Sequence, residues 1–276
     1  MMRALWSAAS GMKAEQTAVD NISNNIANVN TLGYKEQTAQ FKTLLYQTLQ
    51  AQTTTANGTN KPSSAQVGLG TRVASINASY TQGAQLESDN PMACCINGNG
   101  FFAVTGPDDN TYYTRSGDFL WATTQKEGEL ILTDPNGNPV QDTKGQTIKL
   151  PSTVSSNNVS VGTDGSIKYR DPKEKNGYKD TGQKIALFQF PNTTGLEKTS
   201  NNLLQATLAS GAAMPEEGAN NTLTKSTISQ GYIEGSNVNI ADEMVSLIVS
   251  QRAYESNSKA ITTSDSMLQT ANELKR

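Results

Sequence analysis

Four short stretches carry residue types and spacings that could do chemistry. Asp134, Asn136 and Asn138 alternate as oxygen donors do in a calcium loop. Yet Gly137 stands in the wrong place for that loop, Pro135 and Pro139 flank it, and no bidentate Glu follows where an EF-hand needs one. The segment reads as a turn. Asp108 and Asp109, taken with Glu127 and Glu129, offer the carboxylates of a glycosidase acid pair. Nothing in the spacing aligns them, and carboxylates in polar loops are ordinarily just solvated. Gly98-Asn99-Gly100 lacks the strand–glycine–helix setting of a phosphate cradle. Cys94 and Cys95 are adjacent, which builds neither a CxxC redox motif nor a zinc site, and they read as small buried strand residues. Trp6 and Trp121 are isolated and read as packing residues. The chain has no histidine, which removes His-based triads, His metal ligands and imidazole acid–base chemistry. The expectation is a protein with no catalytic residues, no cofactor and no metal.

Charge points the same way. Among 276 residues, 22 basic and 25 acidic side chains leave a formal charge of −3, and charged residues make up only 17%. That is no nucleic-acid footprint and no polybasic membrane patch. No stretch approaches the roughly twenty apolar residues of a membrane span. The start, Met1 to Ser10, has one basic residue and no sustained apolar run, so no cleavable signal peptide is expected.

The informative pattern lies in the elements at the two ends. From Asn237 to Arg276, the residues Ile240, Leu247, Tyr254, Ile261 and Leu268 lie seven apart. Ala253, Ala260, Met267 and Leu274 widen them into an apolar stripe on one helix face. The companion seam carries the short residues Ser250, Asn257, Ser264 and Ala271, which let a neighbouring backbone approach. Asn239 can cap this helix, with Asp242 and Glu243 favouring its positive end and Lys275 and Arg276 its negative end. At the other terminus Leu5, Met12, Val19 and Ile26 repeat the spacing. Ala8, Ile22 and Val29 form the companion seam, interrupted by Glu15, which either reaches solvent or meets a base such as Arg252 or Lys259 of a neighbour. A helix carrying one such stripe is marginal alone in water and needs partners.

Two segments then speak together. One is Asn24 to Lys35, with Asn28, Asn30, Thr31, Gly33, Tyr34 and Lys35 in the turn that ends the first helix near Gly33. The other runs Gly231-Tyr232-Ile233-Glu234-Gly235-Ser236-Asn237-Val238-Asn239, then Glu243-Met244-Val245, then Gln251-Arg252-Ala253-Tyr254-Glu255-Ser256-Asn257-Ser258-Lys259-Ala260, and closes with Asp265-Ser266-Met267-Leu268-Gln269. A capped helix explains Gly33 but not the repeated Asn. Together these segments closely resemble the terminal signatures of the bacterial flagellar rod and hook proteins. Within that family, Leu44-Leu45-Tyr46-Gln47-Thr48 and Val67-Gly68-Leu69-Gly70-Thr71-Arg72, followed by Thr81-Gln82-Gly83, look most like the distal-rod branch.

Between the ends, Phe41, Leu44, Leu45 and Leu49 suggest a short helix, and Thr53 to Gln66 is a polar loop. From Ala78 to Thr222, short runs of Val, Ile, Phe and Tyr alternate with turn signals, as in Phe101 to Val104, Leu130 to Leu132 and Ile185 to Phe190. The expected fold is α+β: long terminal helices paired as a coiled-coil core, with an inserted, mostly antiparallel β domain. The expected division is an N-terminal helix over 1–34, a linker region over 35–77, the β domain over 78–222, and a return segment with the C-terminal helix over 223–276.

The resemblance implies a structural subunit that polymerises with copies of itself into a helical tube and transmits torque. Other rod subunits and the hook would be its further partners, without nucleic acid and without insertion into a membrane. It further implies export by the flagellar apparatus without a cleaved signal peptide. The site would then be an assembly interface, with candidates Leu5, Met12, Val19, Ile26, Leu247, Tyr254, Ile261 and Leu268. Other readings are another axial subunit of the family, a secreted adhesin or binding module, which would stay monomeric, and a wall-degrading enzyme, which would depend on particular carboxylates.

Overall fold

Helix α1, Met2–Ala27, and helix α2, Ile240–Glu273, bracket a chain that is otherwise strand and turn. A computed structural model describes residues 2–50, 64–123, 129–151, 154, 158–170, 177–217 and 224–274. The chain forms two compact units. One comprises Met1–Ala27, Gln37–Ala78 and Asn239–Arg276; the other comprises Asn28–Glu36 and Ser79–Val238.

In the first unit α2 begins where its sequence says it should. Asn239 has extended backbone angles, and its side-chain oxygen accepts from the Ala241 amide at 3.1 Å. Its amide nitrogen donates to Asp242 at 2.7 Å. This satisfies one donor that a helix start leaves open and puts acidic residues at its positive end. Lys275 and Arg276 lie outside the described residues. Helix α1 packs against α2 and against two strands, Gln37–Thr43 and Thr71–Ala78, which pair antiparallel. A second antiparallel ribbon joins Tyr46–Gln50 to Ala65–Gly68.

These strands correct one expectation. The Phe41, Leu44, Leu45 and Leu49 spacing mimics a helix, but the segment is two strands. Thr38, Phe41 and Thr43 are residues a pleated strand favours, and residues 37–43 find a full-length partner in 71–78. The alternation at Ala74, Ile76 and Ala78 belongs to that partner. Of the expected polar loop, residues 53–63 lie outside the described residues.

In the second unit every strand pairing is antiparallel among the described residues. A six-stranded sheet runs in the order 197–198, 204–205, 111–114, 101–105, 187–189, 214–215. Two three-stranded sheets join 149–151, 129–133 and 120–123, and 159–161, 166–170 and 178–184. The pairs 94–97 with 227–230, and 85–87 with 232–234, tie the return segment to the start of the unit.

Alternation sorts the Phe101–Thr105 strand between two cores. Phe102 and Val104 join Met92, Ile96, Phe119, Leu132, Ile148 and Ile167. Phe101 and Ala103 join Tyr113, Phe190, Leu196 and Leu204. Phe101, Tyr113 and Phe190 meet edge to face, with centroids 4.8–5.8 Å apart. Cys94 and Cys95 are fully buried free thiols in a strand. Trp121 packs at the margin of the larger core, but Trp6 does not serve as a packing residue within the chain: it is largely exposed on α1.

The Asp134 stretch is a turn. Its carboxylate accepts from the amides of Asn136 at 2.6 Å and Asn138 at 3.3 Å, and from both their side chains. The carboxylate is thus engaged in holding a hairpin.

Candidate assembly interface

In the first unit the sequence stripe of α2 splits. Leu247, Ile261 and Leu268 are half-buried, as are Asn257 and Ser264 of the companion seam, while Ser250 is buried. Tyr254, in line with them, stays 43% exposed, and Ile240 is exposed as well. Of the residues that widen the stripe, Ala253 is half-buried and Ala260, Met267 and Leu274 are exposed.

On α1 the buried apolar residues are Ala8, Ala14, Ala18 and Ile22. The expected knobs Leu5, Met12, Val19 and Ile26 are half-buried, and so is Glu15, which forms no ion pair among the described residues. One close approach between the helices runs through a glycine. A Cβ added at Gly11 would sit 2.8 Å from the Asn257 side-chain nitrogen, so only glycine allows this approach without displacing Asn257.

The repeated asparagines, which capping alone left unexplained, have a use here. The Asn25 side chain accepts from the Gln37 amide at 3.0 Å and donates to the Gln37 carbonyl at 2.8 Å. It thereby imitates a strand partner for the first residue of the 37–43 strand. Its nitrogen also lies 2.9 Å from the Glu243 carboxylate, and Asn21 donates to the same Gln37 carbonyl at 2.8 Å. The end of α1, the start of a strand and the first turn of α2 are therefore pinned at one buried point.

In the second unit the signature turn is a docked plug. Gly33 has φ +67, and its amide donates to the Glu234 carbonyl at 2.9 Å. A Cβ at Gly33 would stand 2.7 Å from the Ser116 amide nitrogen, so glycine is required twice over, by conformation and by space. Tyr34 is buried, with the Lys198 ammonium 5.3 Å from its ring centre. The Leu32 carbonyl accepts from Asn202 at 2.9 Å. Thr31 donates through its hydroxyl to Asn28 at 3.1 Å, closing the turn on itself. Asn30 is exposed.

Lys35 enters a fully buried charge cluster. Its ammonium lies 2.6 Å from one Glu234 oxygen and donates to the Thr81 carbonyl at 2.7 Å. The other Glu234 oxygen lies 3.3 Å from Arg115, whose second terminal nitrogen donates to the Gly98 carbonyl at 2.7 Å. The Gly83 amide completes the carboxylate at 3.0 Å. The Arg115 guanidinium also stands 5.1 Å from the centre of the Phe101 ring. Burial pulls both Lys35 and Arg115 below their ordinary pKa values, and the Glu234 carboxylate opposes that pull. Two cations thus share one buried anion.

Reading the sequence assigned no role to Arg115 or Asn21, placed Asn25 only within the Asn24–Lys35 signature, and gave Glu243 only the positive end of α2. Glu234 stood inside the Gly231–Asn239 signature, and that motif was the available signal.

Three family descriptions match this chain. "Flagella basal body rod protein" covers residues 5–35, "Flagellar hook protein FlgE/F/G D1 domain" covers 95–169, and "Flagellar basal body rod FlgEFG protein C-terminal" covers 229–274. The flagellar basal-body rod protein FlgG of Bacillus subtilis (strain 168) is 39% identical over the whole of both chains. The chain belongs to the flagellar basal-body rod family. FlgG of Buchnera aphidicola subsp. Acyrthosiphon pisum is 40% identical, over 99% of this chain and all of its own length. The flagellar hook-basal body complex protein FlhP of the same Bacillus strain aligns as completely but at only 28%. The rod-family matches at the two ends take in what the structure pins: α1 with the plug to Lys35, and Glu234 with α2.

Proposed function

We propose that this chain is an axial, structural subunit of the flagellar rod, of the distal part, that polymerises with its own copies and transmits torque to the hook. Its role is mechanical rather than catalytic. The observation that carries this reading is the unequal burial in a rod-family chain. The β-rich unit closes its own core, whereas the terminal helices leave Leu5, Met12, Val19, Ile26, Leu247, Tyr254, Ile261 and Leu268 only partly covered.

In this reading α1 and α2 pair as a coiled coil along that seam, and neighbouring copies complete its burial. Repeated head-to-tail contacts that do not close yield a helical tube. The higher identity to FlgG than to FlhP within one organism favours the distal rod. The subunit would reach its place through the flagellar export apparatus, and other rod subunits and the hook would flank it. Electron microscopy of purified basal bodies carrying a labelled subunit tests this: label should lie along the distal rod. Label confined to the hook or absent from the basal body would overturn it.

A further inference from the structure

The chain passes from one unit to the other after Ala27, Glu36, Ala78 and Val238. On the β-rich side, the last three of these crossings are joined by a closed ring of hydrogen bonds. The Ser79 amide donates to the Glu36 carbonyl at 2.8 Å, and the Glu36 amide donates to the Asn237 side-chain oxygen at 2.7 Å. The Asn237 side-chain nitrogen then donates to the Ser79 carbonyl at 2.9 Å and to the Thr81 hydroxyl at 2.8 Å. An asparagine side chain offers the donor and the acceptor of a peptide unit, so this one residue stands in for a paired strand. The same three segments are tied again by charge. Lys35 reaches the Thr81 carbonyl, and Glu234 binds both Lys35 and the Gly83 amide.

We infer that Asn237 is a clasp that makes these three crossings carry mechanical load as one. The inference rests on the torque-transmitting reading and names the place in the subunit where the load is shared. The covalent crossings are paths by which one unit pulls on the other. A segment held by itself takes such a pull alone and peels its hydrogen bonds one after another. Inside the ring, displacing Glu36 strains the bonds at Asn237 and at Ser79 together. Asparagine suits the half-buried position, because its amide both gives and takes a hydrogen bond without the desolvation cost of an ion. Asn25 repeats the device on the next residue, holding the amide and the carbonyl of Gln37. Two consecutive amides, Glu36 and Gln37, are thus fixed by asparagines from opposite ends of the sequence.

Asn237→Ala in the full-length chain tests it through two readings. In the purified subunit, hydrogen exchange at the Glu36 amide should quicken about tenfold, the worth of one hydrogen bond. Exchange along Phe101–Thr105 should keep the parent rate, which marks the change as local. In cells, rods counted in purified basal bodies should match the parent number. Swimming speed should equal the parent's in dilute medium and fall progressively below it as viscosity is raised. Asn237→Asp keeps an acceptor for Glu36 but loses the donor to Ser79 and Thr81, so it should show the same loss under load with a smaller change at Glu36. If Asn237→Ala builds no rods, Asn237→Asp supplies the load reading on the same terms. Unchanged exchange at Glu36 in Asn237→Ala overturns the clasp, because the ring then constrains nothing. Faster exchange with parent speed at every viscosity overturns it too, leaving Asn237 a local fastener. Label on the parent subunit that lies outside the distal rod would instead remove the torque reading, while the exchange rates would still report the ring.

Discussion

The β-rich unit and the helical unit bury opposite kinds of residue. In the β-rich unit Phe101, Phe102, Phe119, Ile96, Leu132 and Ile148 are fully enclosed, and the buried Lys35 and Arg115 both pair with Glu234. In the helical unit the buried side chains of α2 are Glu243 and Ser250, and those of α1 are alanines, two asparagines and one isoleucine. Most of the large apolar residues of its helices are half-buried or exposed. The first arrangement encloses its apolar residues within one chain; the second holds two helices in register and leaves apolar area exposed. Completeness of burial, more than secondary structure, separates the two units.

The sharpest way to break that contrast is to spoil the β-rich unit from inside. Glu234→Ala strands Lys35 and Arg115 without an anion in a dry site. The expected loss is about 3–5 kcal/mol, since removing one partner of a buried ion pair leaves the other uncompensated. Chemical denaturation of the isolated subunit measures it. A loss below about 1 kcal/mol would mean that water reaches the cluster and that the plug is not held by charge.

The helical unit should respond in the reverse sense. Ile261→Asp puts a charge on the half-buried seam, at a cost of about 2 kcal/mol in lost burial and more for desolvating the carboxylate once neighbours cover it. Repeated at every copy, that abolishes rod growth, while the denaturation of the β-rich unit stays put. Ser256→Asp, fully outside the seam, is the control and should assemble. Motility, export and rod length are scored for each. Normal rods from exported Ile261→Asp would show that the seam makes no contact that matters.

How much of this was legible in advance follows the same division. Helical periodicity located both helices and the Asn239 cap, because local capping and a seven-residue repeat are written in adjacent residues. It also pointed to the Leu247–Ser250–Ile261 face of α2 as the paired one, though not to the exposure of Tyr254 and Ile240 on that face. Met244, Val245, Ile248 and Val249 are as apolar as the seam, and the tie is broken by small residues such as Gly11 and Ser250 that permit close approach. The Phe41–Leu49 segment misread as helix because its strand identity depends on a partner some thirty residues away. The Lys35–Glu234–Arg115 cluster joins Glu234 to residues 199 and 119 positions away. Nothing local distinguishes Glu234 from a solvated carboxylate, although the motif around it was visible.

A finer probe asks whether the plug is fixed by backbone as well as by charge. Gly33→Ala forces a side chain into a φ of +67 and toward the Ser116 amide. The left-handed conformation costs an alanine about 1–2 kcal/mol, and the close approach adds to it. The expected total is about 2–4 kcal/mol in the same denaturation assay, below that of Glu234→Ala at its upper end. A neutral result would mean that the turn can leave its seat without disturbing the unit.

The last probe concerns the thiols and also reports on completeness of burial. Burial, with the neighbouring Cys95, raises Cys94 from 9.0 to about 12, and burial with Glu234 raises Cys95 to about 11. A folded-state pKa above the unfolded one stabilises the fold below pH 9.0, and the stabilisation is lost as the unfolded thiols ionise above it. Stability of the β-rich unit should therefore fall between pH 9 and pH 11, by about 1.4 kcal/mol per thiol for each pH unit. In Cys94→Ala, compared with the parent protein across that window, the slope should flatten by one thiol's share. Both thiols should also resist alkylation at pH 8 until denaturant is added. Ready labelling of the folded chain, or an unchanged alkaline slope in Cys94→Ala, would mean that this core opens to solvent and that the two units differ less in burial than their side chains suggest.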